Sequence, residues 1–153
     1  MIAIVEVGPR DGLQNEAGSV PTDAKVRFVD ALSETGVGEI EVSAFVSPKR
    51  VPQLQDAEEV FRRIQREPGV VYSALVPNEQ GLERALAARA DKIAVFTAAS
   101  ETFNRKNINA GIEESSARIA PGAYGQPPIP PALLSNVSMP RPQEARTLSV
   151  ACW

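Results

Sequence analysis

The chain has 153 residues, 43% hydrophobic, 23% charged and 5% aromatic, with 13 Pro, 10 Gly, one Cys and no His. Its 16 basic and 19 acidic side chains give a net charge of −3, which offers neither the basic footprint of a nucleic-acid binder nor a polybasic membrane patch. A single Cys excludes an intrachain disulfide framework, the lack of His excludes any His-based triad or HExxH zinc site, and no apolar run approaches the roughly 20 residues of a membrane span.

The apolar run Ile2–Val7, broken by Glu6, predicts a buried first strand, and Gly8–Val20 a long polar loop. Thr22 can cap a helix that turns Ala24, Phe28, Ala31 and Leu32 inward and ends by Gly36. Glu39–Ser43 reads as a second strand, followed by a loop with Pro48 and Pro52. Asp56 and Glu59 are spaced like a capping box ahead of a helix with Ala57, Val60, Phe61 and Ile64 inward. Pro68-Gly69 forces a turn into a third strand, Val70–Leu75. Asn78 can cap a helix with Leu82, Ala85 and Leu86 inward; Lys92–Thr97 is the fourth strand, and a fourth helix starts at Ile112.

Four strand–helix units in a row predict a parallel α/β sheet, either open and doubly wound or half of a barrel. In both, the site lies at the carboxyl ends of the strands. The character of the chain then changes. Residues 1–118 hold six Pro and 32 charged residues, whereas 119–153 hold seven Pro and only Arg141, Glu144 and Arg146 as charges. The expectation is a folded part over 1–118 and an irregular Pro-rich tail over 119–153. Pro127–Pro130 fits P-x-x-P, a pattern that chance supplies often.

The first loop reads Gly8-Pro9-Arg10-Asp11-Gly12-Leu13-Gln14-Asn15-Glu16, just past Glu6. A carboxylate at a strand end suits a hard divalent cation, and an adjacent Arg suits a substrate carboxylate or a developing enolate. The plainer alternative is a solvated turn. Ser47-Pro48-Lys49-Arg50 places two cations in the second loop, suited to phosphates or simply to solvent.

Four segments in order, VEVGPRDGLQNE, IEVSAFVSPKRVPQLQDAEEV, VPNEQGLERALAARA and AASETFNRKNIN, closely resemble the 3-hydroxy-3-methylglutaryl-CoA lyases, which belong to the Arg-Asp-Gly-type metal-dependent barrel enzymes. The likeness runs from about Ile4 to Ile119. It implies the N-terminal half, about four units, of a TIM (β/α)8 barrel and the cleavage of 3-hydroxy-3-methylglutaryl-CoA to acetyl-CoA and acetoacetate. It further implies an acyl-CoA substrate and a Mg²⁺ or Mn²⁺ cofactor. By position, Asp11 matches the metal-ligating aspartate and Arg10 the arginine that binds substrate and stabilises the enolate. Glu41 matches a carboxylate that organises Arg10, although a purely structural pair with Arg10 is an equal reading. Gln14, Lys49 and Lys106 are weaker candidates for substrate contact; Asn104, Lys106 and Asn107 sit in the fourth loop, where Asn109 could serve only as a cap.

The resemblance also marks what these residues lack. A full barrel needs eight units. The family's His-x-His metal ligands, its later Asn and its catalytic Cys on a Gly-rich loop have no counterpart, since the chain has no His and Cys152 lies in no such loop. The expectation is therefore a lyase by descent, inactive as this chain, with weak metal binding and self-association through exposed half-barrel edges. A change of reading frame near codons 111–120 is the simplest account of the tail. The alternatives are a Claisen-type acyl-CoA synthase of the same superfamily and a non-catalytic half-barrel that dimerises or binds a partner. A cytoplasmic location is expected, because MIAIVEVG lacks the pattern of a signal peptide.

Overall fold

The structure, a computed structural model, describes residues 4–95, 100–108, 110, 111, 113 and 114, with the backbone alone at 103, 104, 107 and 108. Four strands, β1 (Val5–Glu6), β2 (Glu39–Ala44), β3 (Val71–Leu75) and β4 (Lys92–Ala94), form one parallel sheet in the order β1-β2-β3-β4. Between them run α1 (Thr22–Ser33), α2 (Ala57–Arg63) and α3 (Glu79–Ala87), and α4 (Glu101–Ile108) follows β4.

The alternation of the strands divides the sheet into two faces. Ile40, Val42, Tyr72 and Ala74 join Val26 and Val29 of α1, Ala57, Val60 and Phe61 of α2 and Ala85 of α3 in a single core. Three helices thus cover the same face, and the strand order never reverses. A doubly wound sheet has helices on both faces and a reversal of order, so this is barrel winding. The opposite face is polar. Register sets Glu41 beside Ser73 and Ser73 beside Lys92, and Lys92 Nζ donates to Glu39 Oε2 at 2.8 Å across β3.

Several expectations change in detail. β1 pairs only at Val5–Glu6, and the ladder of β4 ends at Ala94, with residues 96 and 97 outside the described ones. α1 buries Lys25, Val26, Val29 and Ser33, while Phe28 is 39% exposed and Ala31 is exposed. Two interleaved stripes both satisfy helical spacing, and the sheet takes the one whose branched valines fit the core. Pro21, not Thr22, stands at the N-cap of α1. Asp56 occupies the N-cap of α2 without capping it, because its carboxylate is held by Thr22 and Lys25 instead. Asn78 does cap α3, its Oδ1 accepting from Gly81 N at 2.9 Å. The Pro68-Gly69 turn is present, with Gly69 at φ +88°.

The segment around Lys106 was expected as a loop and is helical, within α4. Its first turn carries Glu101, which favours the positive end of the helix dipole, and its last carries Arg105 and Lys106. Of the helix expected from Ile112, only Glu113 and Glu114 are described, both helical; Asn109, Cys152 and the tail 119–153 lie outside the described residues. The large hydrophobic residues exposed among the described ones are Ile4, Val7 and Phe28. Ile4 and Val7 flank β1, an edge strand of the sheet.

Candidate active site at the carboxyl end of the sheet

After β1 the chain makes one wide π-helical turn, Gly8–Gly12. Pro9 at its start and glycines at both ends suit a tight reversal. The carbonyl of Val7 accepts from both Arg10 N (3.1 Å) and Asp11 N (2.7 Å). Such turns inside otherwise regular structure recur at functional sites. The reversal lays Arg10 against β2, where it is only 8% exposed.

A buried guanidinium needs acceptors. Arg10 Nε and Nη2 both donate to Glu41 Oε2, at 3.0 and 2.8 Å, and Nη1 donates to Asp11 Oδ1 at 2.7 Å. One cation therefore sits between two carboxylates, and two of its five N–H groups are not committed to them. Glu41 is 5% exposed. It lies third in β2 rather than at its end, and the β2–β3 register shifts just after it, between Glu41 and Ser43. A bulge of this kind re-aims side chains beside active sites.

Of the expected site residues, the structure brings Arg10, Asp11 and Glu41 together. Gln14 is half-buried two residues past the turn, outside this set of bonds. Lys49 is exposed on a turn closed by Arg50 N and Val51 N on the Ser47 carbonyl. Lys106 is exposed on α4. Two features went unassigned in the sequence. Glu6 Oε1 accepts from Gly8 N at 2.7 Å and so sets the entry into the turn. Asn15 Nδ2 donates to the Asp11 carbonyl at 2.8 Å and closes its exit. Short polar side chains flanking a Gly-Pro turn were the available signal.

Among the described residues no group of three or more His, Cys, Asp or Glu gathers to hold a metal ion. Asp11 alone is an incomplete donor set for a hexacoordinate divalent cation, and one of its oxygens already accepts from Arg10. The described residues therefore do not by themselves make a metal centre. A cavity of about 440 Å³ lined by Ser33, Val37, Glu67 and Val70 is at the opposite end of the sheet, where the chain enters β2 and β3.

With this geometry in hand, comparison with known proteins is direct. The chain is 59% identical over 117 residues to the cytoplasmic 3-hydroxy-3-methylglutaryl-CoA lyase of Rattus norvegicus, covering 76% of this chain and 34% of that protein. It is 53% identical over 119 residues to the mitochondrial hydroxymethylglutaryl-CoA lyase of Gallus gallus, covering 78% and 40%. A solved lyase from Acinetobacter baumannii, in complex with coenzyme A and 3-methylmalate, superposes with a TM-score of 0.77 at 40% identity over 80% of this chain and 40% of that one. The lyase of Pseudomonas aeruginosa gives 0.75 at 50% identity, over 80% and 41%. The chain thus spans about a third to two fifths of the length of these relatives. The HMGL-like family model matches residues 1–121, and with barrel winding, an Arg-Asp turn and lyase relatives in agreement, the chain belongs to the HMGL-like family.

Proposed function

We propose that residues 1–118 carry the substrate side of a 3-hydroxy-3-methylglutaryl-CoA lyase site. The observation that supports this reading most is the buried Arg10, clamped between Glu41 and Asp11 where the barrel fold keeps its chemistry. In the cleavage, the tertiary hydroxyl loses its proton and its oxygen becomes the ketone of acetoacetate as the carbon–carbon bond breaks. The bonding electrons pass to the acetyl-CoA enolate, which then takes up a proton. Arg10 is the cation assigned to the substrate carboxylate or the enolate oxygen, a role that a preorganised guanidinium in a dry site performs well. Glu41 holds Arg10 in place. Gln14, Lys49 and Lys106 are assigned only to peripheral contact with the acyl-CoA.

Asp11 is assigned as one ligand of a divalent ion, Mg²⁺ or Mn²⁺, which a single carboxylate holds only weakly. With no His among the 153 residues, these residues alone do not turn over substrate. We place 119–153 outside the lyase-like part, in keeping with a family match that reaches residue 121, and the protein in the cytoplasm. Relatives named for the cytoplasm and for mitochondria are both similar to it, and no helix among the described residues is long and apolar enough to cross a membrane.

The test is calorimetric titration of the full chain with 3-hydroxy-3-methylglutaryl-CoA, beside an assay for acetoacetate with Mn²⁺ supplied. The expected result is binding that Arg10→Gln abolishes, and no turnover. No binding would remove the substrate-site reading, and turnover well above background would remove the claim of inactivity.

A further inference from the structure

Lys25 lies near the start of α1, yet is only 4% exposed. A buried ammonium persists where acceptors surround it. Here Nζ donates to Asp56 Oδ1 and to the carbonyl of Gln53, both at 2.5 Å. The other Asp56 oxygen accepts from Thr22 Oγ1 at 2.6 Å. Thr22 and Lys25 belong to the first turn of α1; Gln53 and Asp56 close the loop that follows β2.

The connection continues toward the site. Gln53 Nε2 donates to the Glu16 carbonyl at 3.1 Å. Glu16 N bonds Leu13 O at 3.3 Å, and Asn15 Nδ2 bonds Asp11 O at 2.8 Å. A series of hydrogen bonds therefore runs from Lys25 through Gln53 and Glu16 into the turn that carries Arg10 and Asp11. At its other end the second loop is gripped by Arg84, which donates to the Val46 carbonyl at 3.3 Å and lies over the Phe45 ring, 5.5 Å from its centroid. Between the two cations the exposed turn with Lys49 is presented to solvent.

We propose that Lys25 is a positioning residue: by holding Gln53 and Asp56 it locks the loops after β1 and β2 to each other, so that the Arg10–Asp11 turn and the Lys49 turn form one surface before any acyl-CoA arrives. The ligand part of this inference rests on the acyl-CoA reading above; the locking does not. Preorganisation of this kind lowers the cost of ordering loops on binding.

The experiment uses the full chain with Lys25→Met, the double variant Lys25→Met/Asp56→Asn, and Gln53→Ala. Thermal midpoint, amide exchange and coenzyme A titration are read on each. Lys25→Met leaves the half-buried Asp56 carboxylate with Thr22 alone and lowers the midpoint; the double variant removes both charges and recovers it. Exchange of amides 12–17 and 46–55 rises by about tenfold in both, while 71–76 in the double variant keep the wild-type rate. Coenzyme A affinity falls in both despite the recovered midpoint. Gln53→Ala removes no charge and loosens 12–17 alone. Recovery of loop protection along with stability in the double variant would reduce Lys25 to charge balance and overturn the proposal. Unchanged exchange at 12–17 in Gln53→Ala would overturn it as well. A wild-type chain that ignores coenzyme A would sink the acyl-CoA reading, with the exchange data still deciding the locking.

Discussion

Arg10 directs two N–H groups, Nε and Nη2, at a single oxygen of Glu41, Oε2, across 31 residues of sequence. Both side chains are nearly buried, so the pair ties the turn after β1 to β2 where water screens little. Removing Arg10 leaves the Glu41 charge buried without its cation, whereas removing Glu41 leaves Arg10 with Asp11 alone. Arg10→Met should cost about 3–5 kcal/mol, and Glu41→Met less, since Asp11 still pairs with Arg10. The Arg10→Met/Glu41→Met double variant should cost less than the sum. Urea denaturation of the four species in a double-mutant cycle measures the coupling, and additive losses would contradict it.

Glu58 and Arg84 join α2 to α3 at 2.5 Å. The hydrogen bond from Arg84 holds the Glu58 carboxyl below its ordinary value of 4.5, against a smaller opposing effect of burial. A carboxylate lowered on folding adds stability that is complete above the unfolded value and lost as pH falls through the folded one. The expected pH dependence therefore lies below 4.5. Glu58 is 41% exposed, which limits the effect to less than about 1 kcal/mol. Glu58→Gln should flatten the acid limb of a stability–pH curve by that amount, and an unchanged curve would remove the pair from the account.

Gly81 sits where α3 meets the end of β2. A Cβ there would lie 2.7 Å from the Phe45 carbonyl oxygen and 3.2 Å from Pro77 Cδ. Backbone cannot step aside as a flexible side chain can, so Gly81→Ala should destabilise by about 1–3 kcal/mol, as overpacking does. Its better helix propensity, worth roughly 1 kcal/mol, would have to dominate for the variant to be more stable. Thermal denaturation decides the sign.

Asp11 contributes one carboxylate and shares it with Arg10. Mn²⁺ titration followed by electron paramagnetic resonance should show only weak binding, and chelator should leave the thermal midpoint where it was. A stoichiometric site at micromolar Mn²⁺, lost in Asp11→Asn, would mean that ligands beyond the described residues complete the set.

Ile4 is 73% exposed, with Val7 and Phe28 at 38% and 39%. The first two flank β1, an edge strand whose outer N–H and C=O groups have no neighbour in the four-stranded sheet. Open edges of this kind invite pairing with another chain. Sedimentation velocity should show association that grows with concentration and weakens in Ile4→Lys. A monomer at all concentrations would show that the edge is covered.

The order of elements was legible because local chemistry states it. Alternating apolar runs, Asn78 as a cap and Pro68-Gly69 as a turn each act within a few residues. The four matching segments and the Arg10–Asp11 turn were legible for the same reason. The inward stripe of α1 was legible only in part: Leu32 packs against the core as expected, but Val26 and Val29 compete with Ala24 and Phe28 on nearly equal spacing and only the sheet beneath chooses.

What the sequence determined by itself is the family, the four parallel units and the residue types at the site, all encoded in contiguous segments. What only the tertiary structure supplied is the geometry: three helices on one face of the sheet, the two N–H groups of Arg10 on one oxygen of Glu41 where the resemblance implied only a pairing, and the burial of Lys25 against Asp56. Those pairs are separated by 31 residues in the chain. Their partners are selected by register and by the need of a buried charge for its counter-charge, and neither is written in the neighbouring residues.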